Sequence, residues 1–421
     1  MLGLQYIQEN KKSIINGIKK RGIDSSKIIE KIIDLDKKRK EKQTELDSHL
    51  ANFNKISKEI GTLFKTGETE KVSGLKEKSI NLKSLTKTLQ EQLIEIEKSL
   101  LDLRIQLPNV PYEIVPKGNS EKDNEEIFKS EIPKPNIDNL PHWELGKKYD
   151  IIDFELGNKI SGAGFPVYKD KGAKLQRGLI NYFLDKNISA GYKEVQVPIL
   201  INEASGYGTG QLPDKEGQMY HIGKDDLYLI PTAEVPVTNI YRDSLLDFKE
   251  LPIALTSYTP CFRREAGSYG AHVRGLNRLH QFDKVEIVRI EEPQNALNAL
   301  EGMVSHIKSI LDELKLPYRI LRLCGGDLGF TSALTYDFEI YSIGQSKWLE
   351  VSSVSTFDSF QAERLKLRYR NSKGEKEVLH TLNGSSLALP RIIAGILENF
   401  QDANGINIPK VLVPYTGFEK I

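Results

Sequence analysis

Two stretches near the start of the chain carry apolar residues at alternating spacings of three and four, the repeat that lines one face of a helix. In the first stretch every apolar position named here falls on a strict heptad: Ile32, Leu35, Leu46, Phe53, Ile56, Ile60 and Leu63. Polar residues fill the other seam positions, namely Arg39, Lys42 and His49. The spacing therefore predicts a long helix with a partly polar coiled-coil face.

The second stretch has the same spacing and follows a polar break at residues 65–69. Its apolar positions are Leu82, Leu85, Leu89, Leu93, Ile96, Leu100 and Leu103. The four-residue step between Leu89 and Leu93 is interpreted as a stutter in the heptad. Two such helices joined by a short turn predict an antiparallel coiled-coil hairpin. A hairpin of this kind can serve dimerisation or spacing, or it can bind a polyanion at its surface.

The segments around the hairpin suggest where the chain divides. Residues 1–22 have the pattern of a short amphipathic helix, and Pro108 and Pro111 end the hairpin. Residues 112–140 are polar, charged and interrupted by further prolines, which predicts a linker. We therefore predict an N-terminal domain over residues 1–107, a linker over 108–140 and a larger domain over 141–421.

The larger domain mixes strand and helix periods. Residues 259–289 predict a long-looped antiparallel hairpin, since Phe282, Val285 and Ile287 alternate as in a strand. Helical spacing predicts helices at residues 173–187, 296–314 and 392–400.

Composition is that of an ordinary globular protein, with 421 residues of which 39% are hydrophobic. The two cysteines, Cys261 and Cys324, are far apart and neither lies in a C-x-x-C pair, so neither a disulfide framework nor a thiolate zinc site is indicated. The sequence has no run of eighteen apolar residues, and its first residues lack the apolar core of a signal peptide. We expect a cytoplasmic protein without a membrane span.

The net charge of +1 conceals an uneven distribution. The first 100 residues contain 21 Lys plus Arg against 15 Asp plus Glu, a net charge of +6, and the remaining residues carry −5. This excess can be a solvated helical surface, and it is also what a phosphate-binding limb requires.

The predicted hairpin at residues 259–289 concentrates guanidinium and carboxylate groups, at Arg263, Arg264, Arg274, Arg278, Glu265, Asp283 and Glu286. Planar guanidinium forks match phosphate and carboxylate oxygens, so this composition suits a site that holds a polyphosphate beside a cationic amine. The same composition also fits a surface hairpin with solvated ion pairs. Charge alone leaves both interpretations open.

The strings FRRE at residues 262–265 and HQFDKVE at 280–286 resemble the second signature motif of class II aminoacyl-tRNA synthetases, in the form found in seryl-tRNA synthetases. GYKEVQVP at 191–198 resembles the first motif, which forms the dimer interface in that family, and TLNGSSLALPR at 381–391 resembles the third. The resemblance runs through the whole chain. It implies an α+β fold in which a coiled-coil arm precedes an antiparallel sheet flanked by helices, working as a homodimer.

For the amino acid, the resemblance implies a serine site at Thr232, Ala233, Glu234, Arg263, Glu286, Asn383 and Ser385. Thr232 and Glu234 would close over the amino group, and Arg263 would bind the carboxylate. Glu286 would accept the hydrogen bond of the serine hydroxyl, with help from Ser385. A polar partner is needed because an apolar pocket separates serine from alanine by only ~1–3 kcal/mol. The alternative is that Glu286 pairs with a neighbouring Lys284 or Arg278 for stability.

For ATP, the resemblance implies a site at Arg263, Arg264, Glu265, Leu279, Phe282, Glu350, Val351, Ser352, Ser353 and Arg391. Arg263 would grip the α-phosphate, Glu265 would face the adenine and Phe282 would stack on it. Arg391 would contact the γ-phosphate.

The metal implied is Mg²⁺ bound with ATP, held by Glu350 and Ser353, and no zinc is expected. Oxygen ligands of this kind are those that Mg²⁺ prefers. The predicted catalytic residues are Arg263, Arg391 and Glu350.

The sequence departs from the family pattern in three places. Residues 270–275 read GAHVRG where relatives commonly have GRDTRG, which affects contacts to the tRNA end. Leu334 stands where many relatives have a Lys before Thr-Tyr-Asp, so a phosphate contact would be lost or supplied elsewhere. Pro390 replaces the usual Gly, which the first turn of a helix tolerates.

The activity implied is ligation of L-serine to tRNA(Ser) through a seryl-adenylate, with release of AMP and diphosphate and with tRNA(Sec) as a further substrate where present. Two alternatives are an aminoacyl ligase of the same fold that loads a carrier protein, and an inactive RNA-binding paralogue. The long arm argues against the first, because such relatives lack it. The complete motif residues argue against the second.

Overall fold

The computed structural model describes the chain except residues 69, 71, 135–138, 215 and 266–273. Its backbone divides into two compact units. One comprises Met1–Lys19 with Ile23–Pro108, and the other comprises Lys20–Gly22 with Asn109–Ile421.

The first unit is helical. Its helices are α1 (Leu4–Glu9), α2 (Lys11–Lys19), α3 (Ser26–Thr66) and α4 (Val72–Arg104). The amphipathic segment at residues 1–22, predicted as one helix, forms two, because α1 ends at a cap on Asn10 and α2 starts at once. Helices α3 and α4 pack along their length, which confirms the predicted helical hairpin. At its centre Leu46, Leu89 and Leu93 form a buried cluster.

The seam of α4 differs from the predicted one at a single position. Leu85 is 39% exposed, whereas its neighbour Thr86 is 7% exposed and donates a hydrogen bond to the carbonyl of Lys83. With Thr86 in the seam, the half-buried Leu82 and the buried Leu89 follow an unbroken alternation of four and three. The predicted stutter is therefore wrong, and it arose because the apolar residue was preferred to the polar one beside it.

The second unit mixes strands with helices. Its helices are α5 (His142–Lys148), α6 (Phe154–Ile160), α7 (Asp170–Ser189), α8 (Glu203–Thr209), α9 (Glu234–Asn239), α10 (Ala296–Leu314), α11 (Phe360–Leu365), α12 (Leu389–Asn399) and α13 (Val413–Thr416). Its main strands are β1 (Glu125–Lys129), β4 (Lys193–Glu194), β9 (Ile253–Phe262), β10 (Gln281–Glu291), β11 (Tyr318–Arg322), β12 (Leu334–Ser342), β13 (Lys347–Thr356) and β16 (His380–Ala388).

Short strands complete the inventory: β2 (Ile152–Asp153), β3 (Val167–Tyr168), β5 (Leu200–Ile201), β6 (His221–Ile222), β7 (Leu227–Leu229), β8 (Leu245–Asp247), β14 (Arg368–Arg370), β15 (Lys376–Val378), β17 (Gln401–Asp402) and β18 (Gly405–Ile406). They form small two- and three-stranded sheets around the main one.

The main sheet has eight strands in the order β1-β11-β12-β13-β16-β10-β9-β4. Its neighbours pair antiparallel except β4, which runs parallel to β9. Strands β9 and β10 pair from Phe262↔Gln281 to Ile253↔Ile290, which confirms the predicted hairpin. Helices α7, α10 and α12 pack against the sheet and bury a core that includes Phe338, Tyr318 and Ile307. The α+β class is thereby confirmed.

One sheet strand lies where the sequence predicts only linker. Strand β1 pairs with β11 at the edge of the sheet, with Glu125 opposite Arg322 and Lys129 opposite Arg319. Its polar composition suits an edge, where one side of the strand faces solvent. No helix in the described part of the chain combines the length and hydropathy needed to cross a bilayer.

Candidate active site

A cavity opens beside the ends of β9, β10, β13 and β16 in the main sheet. Its walls come from residues far apart in the chain: Arg263, Glu265, Leu276, Asn277, Arg278, Leu279, Phe282, Lys284, Glu350, Val351, Ser352, Ser385, Ala388, Pro390 and Arg391. The sheet brings these segments together because β10 lies between β9 and β16, and β16 pairs with β13. Most of the residues predicted to bind ATP line this cavity.

Glu286 is the centre of a buried polar cluster beside that cavity. Its carboxylate is 1% exposed and accepts hydrogen bonds from Thr232 Oγ1 at 3.2 Å, Asn383 Nδ2 at 3.3 Å and Ser385 Oγ at 3.5 Å. Ser385 lies directly opposite Glu286 in the β10–β16 ladder. Four residues of the predicted serine site therefore meet around one carboxylate.

Lys284 belongs to the same cluster, although it is absent from the predicted serine site. Its ammonium lies 2.6 Å from Glu286 Oε2 and donates to Thr232 Oγ1 at 2.8 Å. The two side chains share a face of β10 because residues two apart in a strand point the same way. The ion pair considered as the alternative role of Glu286 thus exists, and it lies inside the polar cluster.

Glu234 adds a second buried carboxyl at the first turn of α9, directly after Thr232 and the fully buried Ala233. Burial and the nearby charge of Glu286 raise the pKa of Glu234 to about 7, although the hydrogen bond from the amide of Gln361 opposes the shift. Gln361 Nε2 donates to Glu234 Oε1 at 2.7 Å. Two carboxyls in a desolvated pocket favour a ligand that brings a positive charge.

Residues 263–265, which are predicted to bind ATP, directly follow the end of β9. The exposed guanidinium of Arg263 lies 5.4 Å from the centre of the Phe282 ring. Glu265 is half-buried, has a φ of 50° and forms an ion pair with Arg278. Arg264 has an exposed side chain and donates its backbone N–H to the carbonyl of Gln218.

Arg391 closes the opposite side of the cavity from the first turn of α12. Its Nε donates to the carbonyl of Asn277 at 3.1 Å and an Nη donates to the carbonyl of Glu350 at 2.7 Å. Leu279 is 3% exposed and lies two residues after Asn277 in the same run of cavity-lining residues. The predicted residues Arg391, Glu350 and Leu279 therefore share one wall.

A β-bulge in β13 determines which side chains of residues 350–353 point to the same face of the sheet. Phe338 pairs with Ser352 but Glu339 pairs with Glu350, so Val351 is the extra residue of β13. Residues three apart in a regular strand face opposite ways, and one extra residue brings Glu350 and Ser353 to the same face. All four residues lie within β13. Ser352 is buried and donates to the carbonyl of Ser385.

The oxygens on this face suit a hard divalent cation. Asp337 lies opposite Ser353, and its Oδ1 is buried with no hydrogen-bond partner among the described residues. Burial and the nearby charge of Glu350 raise the pKa of Asp337. No cluster of three or more His, Cys, Asp or Glu in the described ranges could hold a metal alone.

Three residues that the predicted site omits make contacts within it: Lys284, Asn277 and Gln361. Lys284 lies inside the string HQFDKVE, so its position two residues before Glu286 was a usable signal. Asn277 and Gln361 lie in segments without any recognised motif, and only the fold brings them to the site.

The departures from the family pattern have different outcomes. Residues 270–273 lie outside the described residues, and Arg274 beyond them lies 4.8 Å from the centre of the Trp143 ring. Leu334 is 1% exposed within the main core. Pro390 occupies the first turn of α12, as expected.

Comparisons with known proteins cover both units. The model of the seryl-tRNA synthetase N-terminal domain matches residues 1–111, and the model of the tRNA synthetase class II core domain (G, H, P, S and T) matches residues 219–400. The serine–tRNA ligase of Salinibacter ruber is 46% identical over 100% of this chain and 99% of its own length, and that of Leptospira biflexa is 44% identical over 99% and 100%.

Solved structures show the same similarity. The seryl-tRNA synthetase of Pyrococcus horikoshii complexed with ATP superimposes with a TM-score of 0.91 and 32% identity, covering 100% of this chain and 99% of that one. The cytoplasmic serine–tRNA ligase of Naegleria fowleri in complex with AMP gives a TM-score of 0.87 at 25% identity, covering 100% and 98%. This chain belongs to the seryl-tRNA synthetase family of class II aminoacyl-tRNA synthetases.

Proposed function

We propose that this protein ligates L-serine to tRNA(Ser) in two steps through a seryl-adenylate. The observation that carries the proposal is the buried carboxylate of Glu286, surrounded by Thr232, Asn383 and Ser385 and adjoining the cavity of Arg263 and Arg391. A buried carboxylate that accepts a hydrogen bond from the ligand's hydroxyl discriminates against analogues that lack the hydroxyl. Glu234 supplies the partner for the amino group.

In the first step the serine carboxylate attacks the α-phosphorus of ATP in line, and diphosphate leaves. The Arg263 fork binds the carboxylate and the α-phosphate together, which orients the two reacting groups and offsets their repulsion. Arg391 neutralises charge on the γ-phosphate of the departing diphosphate. Phe282 and Glu265 hold the adenine. The step forms no covalent bond to the enzyme.

Glu350 and Ser353 are the proposed ligands for Mg²⁺ bound with ATP, because the bulge at Val351 turns both to one face. When bound, Mg²⁺ would neutralise charge on the phosphate oxygens. Glu350 Oε2 lies 3.9 Å from Arg391 Nη1. The Mg²⁺ at Glu350 and the guanidinium of Arg391 would therefore contact the polyphosphate from the same wall of the cavity.

In the second step a ribose hydroxyl of the tRNA attacks the seryl-adenylate and AMP leaves. The helical hairpin α3–α4 is the proposed tRNA-binding limb, since the first 100 residues carry a net charge of +6. We further propose tRNA(Sec) as a substrate where it is present, a homodimer formed through residues 191–198, and a cytoplasmic location.

Pyrophosphate exchange with each amino acid in turn tests the proposal. Exchange should depend on serine above all others, and purified protein should then charge tRNA(Ser). Exchange with transfer to a carrier protein, but not to tRNA, would favour the carrier ligase. Failure of exchange with every amino acid would favour the inactive paralogue.

A further inference from the structure

A histidine outside the recognised motifs lies directly behind the proposed ATP cavity. His142 begins α5, and both His142 and Glu398 of α12 are fully buried. His142 Nδ1 lies 2.7 Å from Glu398 Oε1. On the other side of the ring, His142 Nε2 lies 2.7 Å from the backbone nitrogen of Leu276. The imidazole therefore connects a buried carboxylate to the segment that forms one cavity wall.

The partners determine where the imidazole proton lies. Leu276 can only donate through its N–H, so Nε2 must be unprotonated in order to accept. The carboxylate of Glu398 accepts several further hydrogen bonds. Its donors are the backbone N–H of His142 at 2.9 Å, the backbone N–H of Gly344 at 3.2 Å, Gln345 Nε2 at 3.1 Å and the hydroxyl of Ser342. A carboxylate so surrounded is ionised and accepts the Nδ1–H.

The charge state of Glu398 agrees with this arrangement. Burial by itself would raise the pKa of the Glu398 carboxyl, but His142 holds it below its ordinary value, and Ser342 donates a further hydrogen bond. Because Nε2 accepts the hydrogen bond of the Leu276 N–H, the inferred state is an ionised Glu398 and a neutral His142 with its proton on Nδ1. The Nε2 lone pair is then directed at the cavity wall.

The wall that His142 supports contains four consecutive residues of the cavity lining, Leu276, Asn277, Arg278 and Leu279. Asn277 is anchored twice, through its Nδ2 to Gln345 Oε1 at 2.8 Å and through its carbonyl to Arg391 Nε at 3.1 Å. A displacement of Leu276 would therefore move Arg391, the residue proposed to neutralise the γ-phosphate.

Gly275 permits the close approach that the hydrogen bond needs. It has a φ of 70°, and a Cβ at this position would lie 2.2 Å from His142 Nε2 and 2.9 Å from the ring of Trp143. Any larger residue would be strained and would push the segment away from the imidazole. The backbone conformation and the histidine thus fix the same wall independently.

We propose that His142, in the tautomer imposed by Glu398, is a positioning residue for ATP that holds the 275–279 wall and, through Asn277, the guanidinium of Arg391. The inference rests on the proposed function for its kinetic test, but the proton position can be tested without it. The pair is distinct from the serine cluster around Glu286, so its loss should affect the two substrates unequally.

The kinetic test compares His142→Leu with His142→Gln in pyrophosphate exchange. Leucine leaves the Leu276 N–H without an acceptor, so the KM for ATP should rise about tenfold while the KM for serine changes little. Glutamine offers an amide oxygen to Leu276 and an amide N–H to Glu398, so it should restore much of the ATP affinity. His306→Leu is the matched control, because His306 of α10 is a part-buried histidine whose Nε2 lies 2.7 Å from Oδ1 of Asn187 on α7.

A purely structural role predicts another pattern. His142→Leu would then lower the folded fraction, which reduces the apparent kcat with both KM values unchanged, as in the His306 control. That pattern, or equal rises in both KM values, would overturn the proposal. Glu398→Gln extends the test, because an amide N–H directed at Nδ1 would move the imidazole proton to Nε2, against Leu276. Its KM for ATP should rise as in His142→Leu.

Nitrogen NMR of the histidine-labelled wild-type protein tests the proton position even if a variant fails to fold. The His142 signals, assigned by their loss in any folded His142 variant or by coupling to the ring protons, should show protonated Nδ1 and unprotonated Nε2. A protonated Nε2 would overturn the inference. Wild-type protein without serine-dependent exchange but with the expected tautomer would instead contradict only the proposed function.

Discussion

Under the proposed function, Glu234 should make serine binding depend on pH, because burial raises the pKa of its carboxyl to about 7. The charge of Glu286 contributes to this rise, so the Glu234 carboxyl of the free enzyme is largely uncharged below that pH. A neutral carboxyl cannot pair with the serine ammonium. The KM for serine should therefore rise as the pH falls below 7, approaching about tenfold per pH unit.

Steady-state pyrophosphate exchange between pH 6 and 8.5 measures this dependence. Glu234→Gln, which keeps the size of the side chain and cannot ionise, should have a high KM for serine that is flat over the same range. The KM for ATP in the wild-type protein serves as the internal control. A serine KM that is independent of pH in both proteins would remove Glu234 from recognition of the amino group.

Glu286 decides between serine and alanine under the proposed function. Replacing it by Ala removes the acceptor of the serine hydroxyl, so the ratio of kcat/KM for serine over alanine should fall by at least about 100-fold. Lys284→Met is the matched variant, because it breaks the same 2.6 Å ion pair and leaves the carboxyl in place. That variant should retain most of the selectivity. Parallel losses for both amino acids in Glu286→Ala would assign the residue to stability.

The residue scale also shows what a motif cannot reveal. Glu286, Ser385 and Arg391 could be found from short strings, because the resemblance gives each a role. His142 could not, since its two partners lie 134 and 256 residues away and one of them is a backbone N–H. Such a contact forms only when α5 and α12 pack together, so it cannot be predicted from individual positions in the sequence.

At the scale of elements, hydrophobic periodicity predicts that a helix or strand exists better than it predicts which of its residues face the partner element. The hairpin of α3 and α4 follows from heptad spacing, and α10 runs from Ala296 to Leu314 as the pattern predicts. The seam was predicted wrongly at Leu85 because Leu85 and Thr86 lie three and four residues after Leu82, and both spacings fit a coiled coil. The partner helix, which buries Thr86, decides between them. The bulge at Val351 could not be predicted from the sequence either, since the extra residue is recognised only from the pairing of β13 with β12.

Two leucines of α4 provide a test of the corrected seam. Leu89→Ala should destabilise the hairpin by about 2–5 kcal/mol, because Leu89 is 3% exposed in the central cluster. Leu85→Ala should cost less than about 1 kcal/mol, since that side chain is 39% exposed. Hydrogen-exchange mass spectrometry of α3 and α4 peptides in the full-length protein measures both. Equal loss of protection would return Leu85 to the seam.

At the scale of the whole molecule, the sequence predicts the kinds of elements and not their order in space. Neighbouring strands β9 and β10 form a hairpin, which local pattern predicts. The position of β16 between β10 and β13 depends on pairing across about a hundred residues, and only the resemblance anticipated an antiparallel sheet. Strand β1 was missed because an edge strand needs few apolar residues.

The two units should divide the two steps of the reaction. Every residue proposed for adenylate formation, from Thr232 to Arg391, belongs to the second unit, whereas the positive charge is concentrated in the first 100 residues. Replacing residues 32–100 by a short glycine-rich link should therefore leave serine-dependent pyrophosphate exchange within a few fold of the parent. Charging of tRNA should fall by orders of magnitude, because the proposed phosphate-binding surface is gone.

Salt dependence strengthens this test and supplies its control. In the parent, affinity for tRNA should fall steeply as salt rises, while the KM for serine in exchange changes little. The shortened protein should bind tRNA weakly with a shallower salt slope, because fewer phosphate contacts release fewer counterions. Thermal melting of the shortened protein verifies that the second unit is folded. If a folded, shortened protein lost exchange and charging to the same extent, the hairpin would be needed for the adenylation site itself, and the proposed separation of the two steps would be wrong.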